Sequence, residues 1–323
     1  MLAILSVTFP FFALIGIGYL AARTRILSVQ AVPGLNVFVL YFALTCLLFQ
    51  LGAHTPMAQL VDPVMIGVWF LAGLAVMALA GVTARRAGKS WLDTAFGSLI
   101  AVTANSGFMG IPLLIALIGE QAAGPISTTL LVDIVAMQTL VIAVSQQGSG
   151  ARTGFWQQAR ATAVRVTRNP LPWAIILGGL WGMTGLSLPT PIDSTLTMLG
   201  TAATPVALFT IGAVLAREQG STPRGRIRTG IRAFGDVYWL AALKLFGHPL
   251  LVWALGQAAI AAGLRLPPET LLVLTLTAAL PAAANVSVLA ERFGADNGRI
   301  ARVILISTVL SFLTFTAAVA LLR

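Results

Sequence analysis

The sequence has few charged residues and almost none of the residue types that hold metals or form disulfides. Only 9% of its 323 residues are charged, against about 25% in an average soluble domain. One cysteine, Cys46, excludes an internal disulfide, and the two histidines, His54 and His248, give no zinc-ligand spacing with it. A G-x-x-x-x-G-K-[ST] phosphate loop is also missing, so ATP-driven pumping by this chain alone is not expected. We therefore expect neither an enzyme nor a bound metal or other cofactor.

Long apolar runs fill the sequence instead. Hydrophobic residues make up 58% of the chain, and the mean hydropathy is +0.91. A helix needs about 20 residues to cross the hydrocarbon layer of a membrane. Windows of that length predict an all-α polytopic membrane protein with ten spans, at 3–22, 29–50, 63–84, 92–118, 124–146, 170–187, 193–216, 236–263, 269–291 and 301–322.

The positive charges lie mostly in alternate connections between these spans. Of the 20 Lys and Arg residues, 17 lie in connections 1–2, 3–4, 5–6, 7–8 and 9–10. The positive-inside rule makes those connections cytoplasmic and puts both termini outside. The net charge of +10 is thus a sign of topology rather than of nucleic-acid binding. A contact of the cluster at 224–232 with anionic membrane lipid is a secondary possibility.

The connection at 147–169 divides the predicted spans into two sets of five. Residues 1–146 form the first set and residues 170–323 the second, with the cytoplasmic linker between them. An odd number of spans in each half gives the halves opposite orientations, which is the inverted-repeat plan of many secondary transporters. We therefore predict two inverted five-helix repeats.

Two apolar spans contain polar residues, glycine and proline where a continuous membrane helix would have Leu, Ile and Val. Span 4 contains TANSGFMGIP and span 9, its counterpart in the second half, contains TAALPAAANVS. Proline lacks an amide hydrogen and clashes with the preceding turn, so both helices are expected to be interrupted. The candidate substrate-binding residues are Asn105, Ser106, Gly107, Gly110, Pro112, Pro281, Asn285 and Ser287.

These interruptions have a structural and a functional interpretation. A single Pro or Gly kink in a membrane helix is often structural, whereas a matched pair at equivalent repeat positions favours a binding site. Each interruption would point the N-terminus of a half-helix, near Ile111 and near Ala283, toward the midplane. With no acidic residue in either motif, the site is predicted to prefer an anion.

An Asp, a Lys and a His lie well inside predicted spans, away from the ends. Asp133 lies in span 5, and Lys244 and His248 lie in span 8. Charges at such depths are costly and often functional. Asp133 and Lys244 have two interpretations: a pair that couples transport to the movement of a proton or another charge, or a buried pair with a structural role only. Lys244 is also a candidate counter-charge for an anion. His248 either titrates or hydrogen-bonds a neighbouring helix.

The chain resembles the bacterial auxin efflux carrier family of permeases, which are related to plant auxin carriers and distantly to bile-acid/sodium symporters. The resemblance rests on FPFFALIGIGYLAAR, NSGFMGIPLL and LPAAANVSVLAERFGAD and covers essentially the whole chain. It implies ten helices in which the broken fourth and ninth cross, with Asn105, Pro112, Pro281 and Asn285 flanking the cargo. It also implies a scaffold of helices 1, 2, 6 and 7, often dimeric, beside a moving transport domain of helices 3–5 and 8–10.

Two classes of function are compatible with these features. One is a secondary transporter in a bacterial cytoplasmic membrane, elevator-like, that carries a small organic anion such as a carboxylate. A proton gradient, a sodium gradient or the gradient of the cargo would drive it. The other is a membrane receptor that binds the same ligand without moving it. The paired interruptions and the lack of a signalling domain favour transport.

The predicted topology can be tested with single cysteines introduced into a Cys46→Ala background. A cysteine at Gln147 should be labelled from the cytoplasm and one at Gln121 from the opposite face, because they lie in connections of different charge. Labelling with a membrane-impermeant maleimide in intact cells and in inverted vesicles measures this. Equal labelling of both positions from outside intact cells would contradict the ten-span arrangement.

Overall fold

A computed structural model describes residues 2–54, 62–145, 170–221 and 231–322. Within these ranges the regular structure is helical, apart from a single pair of residues joined as in an antiparallel sheet. The predicted linker at 147–169 and most of the basic cluster at 224–232 lie outside the described residues.

Within residues 2–54 and 62–145, the first half of the chain forms six main helical segments. Two of them, α4 and α5, together occupy predicted span 4 and are separated by five non-helical residues. The segments are α1 (Leu2–Arg23), α2 (Val32–His54), α3 (Pro63–Arg86), α4 (Trp91–Ile100), α5 (Ser106–Ile118) and α6 (Glu120–Ser145).

The described part of the second half, residues 170–221 and 231–322, also forms six helical segments, and again one predicted span is divided in two. Segments α10 and α11 occupy span 9 and are separated by residues 279–284. The segments are α7 (Pro170–Met183), α8 (Thr190–Ser221), α9 (231–261), α10 (Pro268–Ala278), α11 (Asn285–Phe293) and α12 (Asn297–Leu322).

Six helices in the described ranges are long and apolar enough to cross a membrane. They lie in α2, α3, α6, α8, α9 and α12, and four shorter apolar helices accompany them. Helix α3 shows how the sequence sets such a span. Asp62 accepts hydrogen bonds from the backbone amides of Val64 and Met65 at its start, and Arg85 and Arg86 end it. The protein is thus a multi-pass membrane protein, and the number of ten crossings stays a prediction.

The first two helices of each half pack on those of the other half. Helix α1 lies along α8, and α2 lies along α7. Glycine permits both contacts. A Cβ atom on Gly18 would meet the carbonyl oxygen of Phe209, and one on Gly178 would meet the carbonyl oxygen of Phe49. Backbones approach closely in membrane proteins where such small residues line the interface.

Of the helices in the described ranges, three contain a π-helical turn, and α5 begins with one. The turns in α6 and α9 begin at Asp133 and one residue before Lys244, respectively. A π-turn inserts one extra residue into the helix, and such turns occur frequently at functional sites. The turns span Val39–Ala43, Ser106–Gly110, Asp133–Met137 and Leu243–Gly247.

A buried arginine joins the ends of α4, α9 and α12. Arg299 is 2% exposed and binds both carboxylate oxygens of Asp236, at 2.5 and 2.9 Å. It also donates to the backbone carbonyl of Asp93 at 2.7 Å. Gly97 leaves room for the guanidinium, because a Cβ there would lie 2.6 Å from it. Charge-assisted bonds of this kind fix the three helices relative to one another.

The glycine contact between α1 and α8 can be tested with Gly18→Ala and a matched control, Gly16→Ala. The added methyl group at Gly18 would overlap the Phe209 backbone, whereas at Gly16 it would meet no atom within 4 Å. Overpacking of this kind costs about 1–3 kcal/mol. Gly18→Ala should therefore lower the melting temperature of the purified protein in detergent, and Gly16→Ala should not. Equal melting temperatures would refute a tight α1–α8 contact.

Candidate functional site

The two interruptions of the apolar spans lie at residues 101–105 and 279–284. The first was predicted too late in the sequence: the helix restarts at Ser106, not near Ile111, and Pro112 lies inside α5. The π-turn that opens α5 explains the difference. Its Ile111 amide bonds to the carbonyl of Ser106, five residues back, and Pro112 follows within the first turn of regular helix, where a missing amide hydrogen is tolerated. The second helix restarts at Asn285, within two residues of the prediction.

The two interruptions are bonded to each other through their backbones. Ala104 and Ala282 face each other as in an antiparallel sheet. The amide of Asn105 donates to the carbonyl of Pro281 at 3.0 Å, and the amide of Ala283 donates to the carbonyl of Thr103 at 3.1 Å. Each broken helix therefore satisfies part of the backbone that the other leaves free, as a membrane interior requires.

The backbone amides of Ala104 and Ala282 interact with side chains of two other helices. The Ala282 amide donates to the hydroxyl of Ser307 on α12 at 3.1 Å. The amide of Ala104 interacts with the carboxyl group of Asp133 on α6. One helix from each half thus supports one of the two interruptions. Sequence analysis did not identify Ser307, which lies in an otherwise ordinary apolar span.

Four of the predicted site residues line the first interruption and the start of α5. Asn105 and Ser106 are buried, at 3% and 0% exposure, and the side chain of Asn105 does not cap the helix it precedes. A Cβ on buried Gly107 would meet no atom within 4 Å, so open space lies beside it. Gly110 is instead tightly packed, because a Cβ there would lie 2.7 Å from Leu280 across the pair.

The predicted residues of the second interruption occupy three different environments. Pro281 is buried and accepts the bond from Asn105, whereas Asn285 is exposed at the start of α11. Ser287 is buried, and its hydroxyl donates to Asn297 at 2.6 Å, toward the start of α12. The structure thus brings Asn105, Ser106, Gly107, Gly110 and Pro281 together at the paired interruptions.

Behind the paired interruptions lies a buried group of four side chains: Trp69, Asp133, Lys244 and His248. The indole of Trp69 donates to Asp133 at 2.8 Å, and its ring lies 4.8 Å from that of His248. Within the described residues, three polar atoms of this group have no hydrogen-bond partner: both ring nitrogens of His248 and the second carboxylate oxygen of Asp133. Trp69 was not identified from the sequence, since a lone Trp in an apolar span indicates only packing.

Lys244 binds the end of a half-helix rather than Asp133. It is fully buried, and its ammonium donates to the carbonyl of Ala278, the last residue of α10, at 2.6 Å. Its charge interacts with Asp133, but the described residues contain no ion pair within 4 Å between the two. In the same ranges, no group of three or more His, Cys, Asp or Glu residues could hold a metal ion.

Comparison with known proteins gives consistent matches over nearly the full length. The profile of a family described as membrane transport protein matches residues 3–152 and 144–319. A putative malonate transporter of Rhizobium meliloti is 28% identical over 100% of this chain and 97% of its own length. A probable auxin efflux carrier component 5a of rice, Oryza sativa subsp. japonica, is 24% identical over 90% of this chain and 89% of its own. The uncharacterized transporter YfdV of Escherichia coli is 24% identical over 88% and 86%.

The bond from Ala282 to Ser307 can be tested with Ser307→Ala and the control Ser311→Ala. Both serines are buried on α12, but Ser311 bonds only a carbonyl of its own helix. Ser307→Ala would leave the Ala282 amide unpaired, which costs about 1–3 kcal/mol. We expect a melting temperature several degrees lower for Ser307→Ala and a near-native value for Ser311→Ala. Identical melting of both variants would show that Ser307 does not support the interruption.

Proposed function

Because the chain belongs to the membrane transport protein family, which includes the auxin efflux carriers, we propose that it is a secondary transporter of a small organic anion. The family and the relatives are transporters rather than enzymes. The observation that carries the proposal is the pair of bonded interruptions, Thr103 to Ala283 and Asn105 to Pro281. Irregular backbone at membrane depth is tolerated where protein or a cavity surrounds it, and transporters bind substrates at such places.

We propose further that the chain forms ten crossings in two inverted repeats, with α4–α5 and α10–α11 each counting as one. Regular spacing supports this. Ala104 and Ala282 differ by 178 positions (282 − 104), Asp133 and Ser307 by 174 (307 − 133), and Trp69 and Lys244 by 175 (244 − 69). In each pair, one residue lies in the first half and the other lies at the equivalent position of the second half, at or next to the interruptions. Connections 1–2, 3–4, 5–6, 7–8 and 9–10 would face the cytoplasm, with both termini outside.

In this proposal, helices α1, α2, α7 and α8 form the scaffold, and α3–α6 with α9–α12 form the transport domain. The glycine-lined contacts of α1 with α8 and of α2 with α7 support a rigid scaffold, which would also carry a homodimer interface. The paired interruptions would move with the transport domain and alternate between the two sides of the membrane, in the manner of an elevator.

Selection of an anion follows from the groups at the interruptions. Asn105 supplies a side-chain amide, the starts of α5 and α11 supply the positive ends of helix dipoles, and residues 101–110 and 279–287 contain no acidic side chain. A relative named as a putative malonate transporter supports a dicarboxylate cargo. The open space beside Gly107 is where the cargo would approach the backbone.

The buried group of Trp69, Asp133, Lys244 and His248 would couple the site to the driving ion or stabilise its charge. A proton gradient, a sodium gradient or the gradient of the cargo itself would supply the energy.

The alternative of a receptor that binds without transport is not favoured, because the family and the curated relatives are transporters.

Malonate binding and exchange test the proposal. Asn105→Ala and Asn285→Ala should each weaken malonate binding about 10- to 100-fold, because each removes hydrogen bonds to a charged group worth roughly 1.5–3 kcal/mol. Asn36→Ala on the scaffold helix α2 is the matched control and should bind as the wild type does. Calorimetry measures the affinity.

Counterflow of labelled malonate into proteoliposomes separates the two classes of function. The wild type should accumulate label against unlabelled malonate inside, whereas a receptor would bind without exchange. Unchanged affinity in both site variants would exclude the proposed site, and tighter binding of the neutral diamide of malonate would exclude anion selection.

A further inference from the structure

The C-terminal end of α10 favours a positive charge beside it, either from a bound ion or from a side chain. Ala278 is the last residue of that helix, so its carbonyl belongs to the terminal set that lacks partners within the helix. Such carbonyls carry the negative end of the helix dipole. In transporters with interrupted helices, these half-helix ends and the unwound carbonyls beside them coordinate the coupling cation.

Here a side chain of the protein occupies that place. The ammonium of Lys244 donates to the Ala278 carbonyl at 2.6 Å, and no part of the residue is exposed. An ammonium is a compact monovalent charge with three donors, so its requirements resemble those of a small monovalent cation. The π-turn of Leu243–Gly247 in α9 contains this lysine.

A buried carboxylate in the same region supplies the balancing negative charge. Asp133 is 2% exposed, and one of its carboxylate oxygens is bound by Trp69. The other has no hydrogen-bond partner among the described residues, yet the carboxylate interacts with the charge of Lys244. A buried carboxylate requires a compensating positive charge. Lys244 supplies it without direct contact.

We propose that Lys244 is a built-in cation, which fills the position of a coupling metal ion at the end of α10 and makes sodium unnecessary for transport. Removal of the side chain should expose a latent site for a monovalent cation at the Ala278 carbonyl, with the charge of the cation balanced by the Asp133 carboxylate. This inference builds on the proposed transport function, but the latent site does not depend on the identity of the cargo.

Melting of the purified protein in sodium, potassium or choline chloride at one ionic strength tests the inference. The wild type should melt at the same temperature in all three salts. Lys244→Ala should melt lower in choline and regain on the order of 5 °C in a saturating concentration of sodium or potassium, because a bound ion stabilises only the folded state. Lys89→Ala, at a partly exposed lysine beside Asp236, is the matched control and should show no such salt dependence.

Neutralising both charges gives a second variant that does not rely on Lys244→Ala folding well. Asp133→Asn with Lys244→Met should fold in choline and should not respond to sodium or potassium, since neither charge remains. Equal melting of Lys244→Ala in all three salts would overturn the inference. So would misfolding of Lys244→Ala in every salt while the double variant folds.

Malonate counterflow in sodium and in sodium-free buffer completes the test. Equal wild-type rates are expected, and a requirement for sodium would overturn the built-in cation. If no carboxylate is exchanged under any condition, the proposed function fails, but the melting comparison still decides whether Lys244 occupies a cation site.

Discussion

The backbone pairing of Ala104 with Ala282 is the contact on which the candidate site depends. A helix that stops inside hydrocarbon leaves amides and carbonyls without partners, at a cost of several kcal/mol for each unsatisfied group. Here two such helices stop beside each other, and the bonds Asn105 to Pro281 and Ala283 to Thr103 satisfy both. The pairing also brings together the N-terminal ends of α5 and α11 from the two halves of the chain. Without a second interruption, the first would have no partner.

The supporting side chains follow from the same constraint. In a facing pair of this kind, the amides of the two central residues point outward, so each needs an acceptor from another helix. Ser307 on α12 provides one, and Asp133 on α6 interacts with the other. Asp133 in turn is held by Trp69 and balanced by Lys244, which binds the end of α10. A chain of contacts therefore leads from the interruptions to four helices of both halves.

The sequence alone predicted the membrane class, the location of both interruptions in spans 4 and 9, and most of the residues beside them. Proline, glycine and asparagine in an apolar run are local signals. It did not predict that α5 restarts at Ser106, because a π-turn depends on packing rather than on residue type. Nor did it identify Trp69 or Ser307, whose partners lie 64 and 25 positions away. Arg299 was counted only as a topological charge, although it is buried against Asp236, and only the folded chain shows that contact.

The separation of Ala104 and Ala282 along the chain has a consequence for biosynthesis. Translation proceeds at about 5–20 residues per second, so the 178 positions between the two alanines take roughly 9–36 s to synthesise. During that time the first half has reached the insertion machinery with the interruption at 101–105 unpaired, and α1 and α2 lack their partners α8 and α7. Water in the protein-conducting channel or a membrane chaperone must satisfy these groups until the second half arrives. The nascent first half is therefore less stable in the membrane than the same residues are in the finished fold, where the second half supplies their partners.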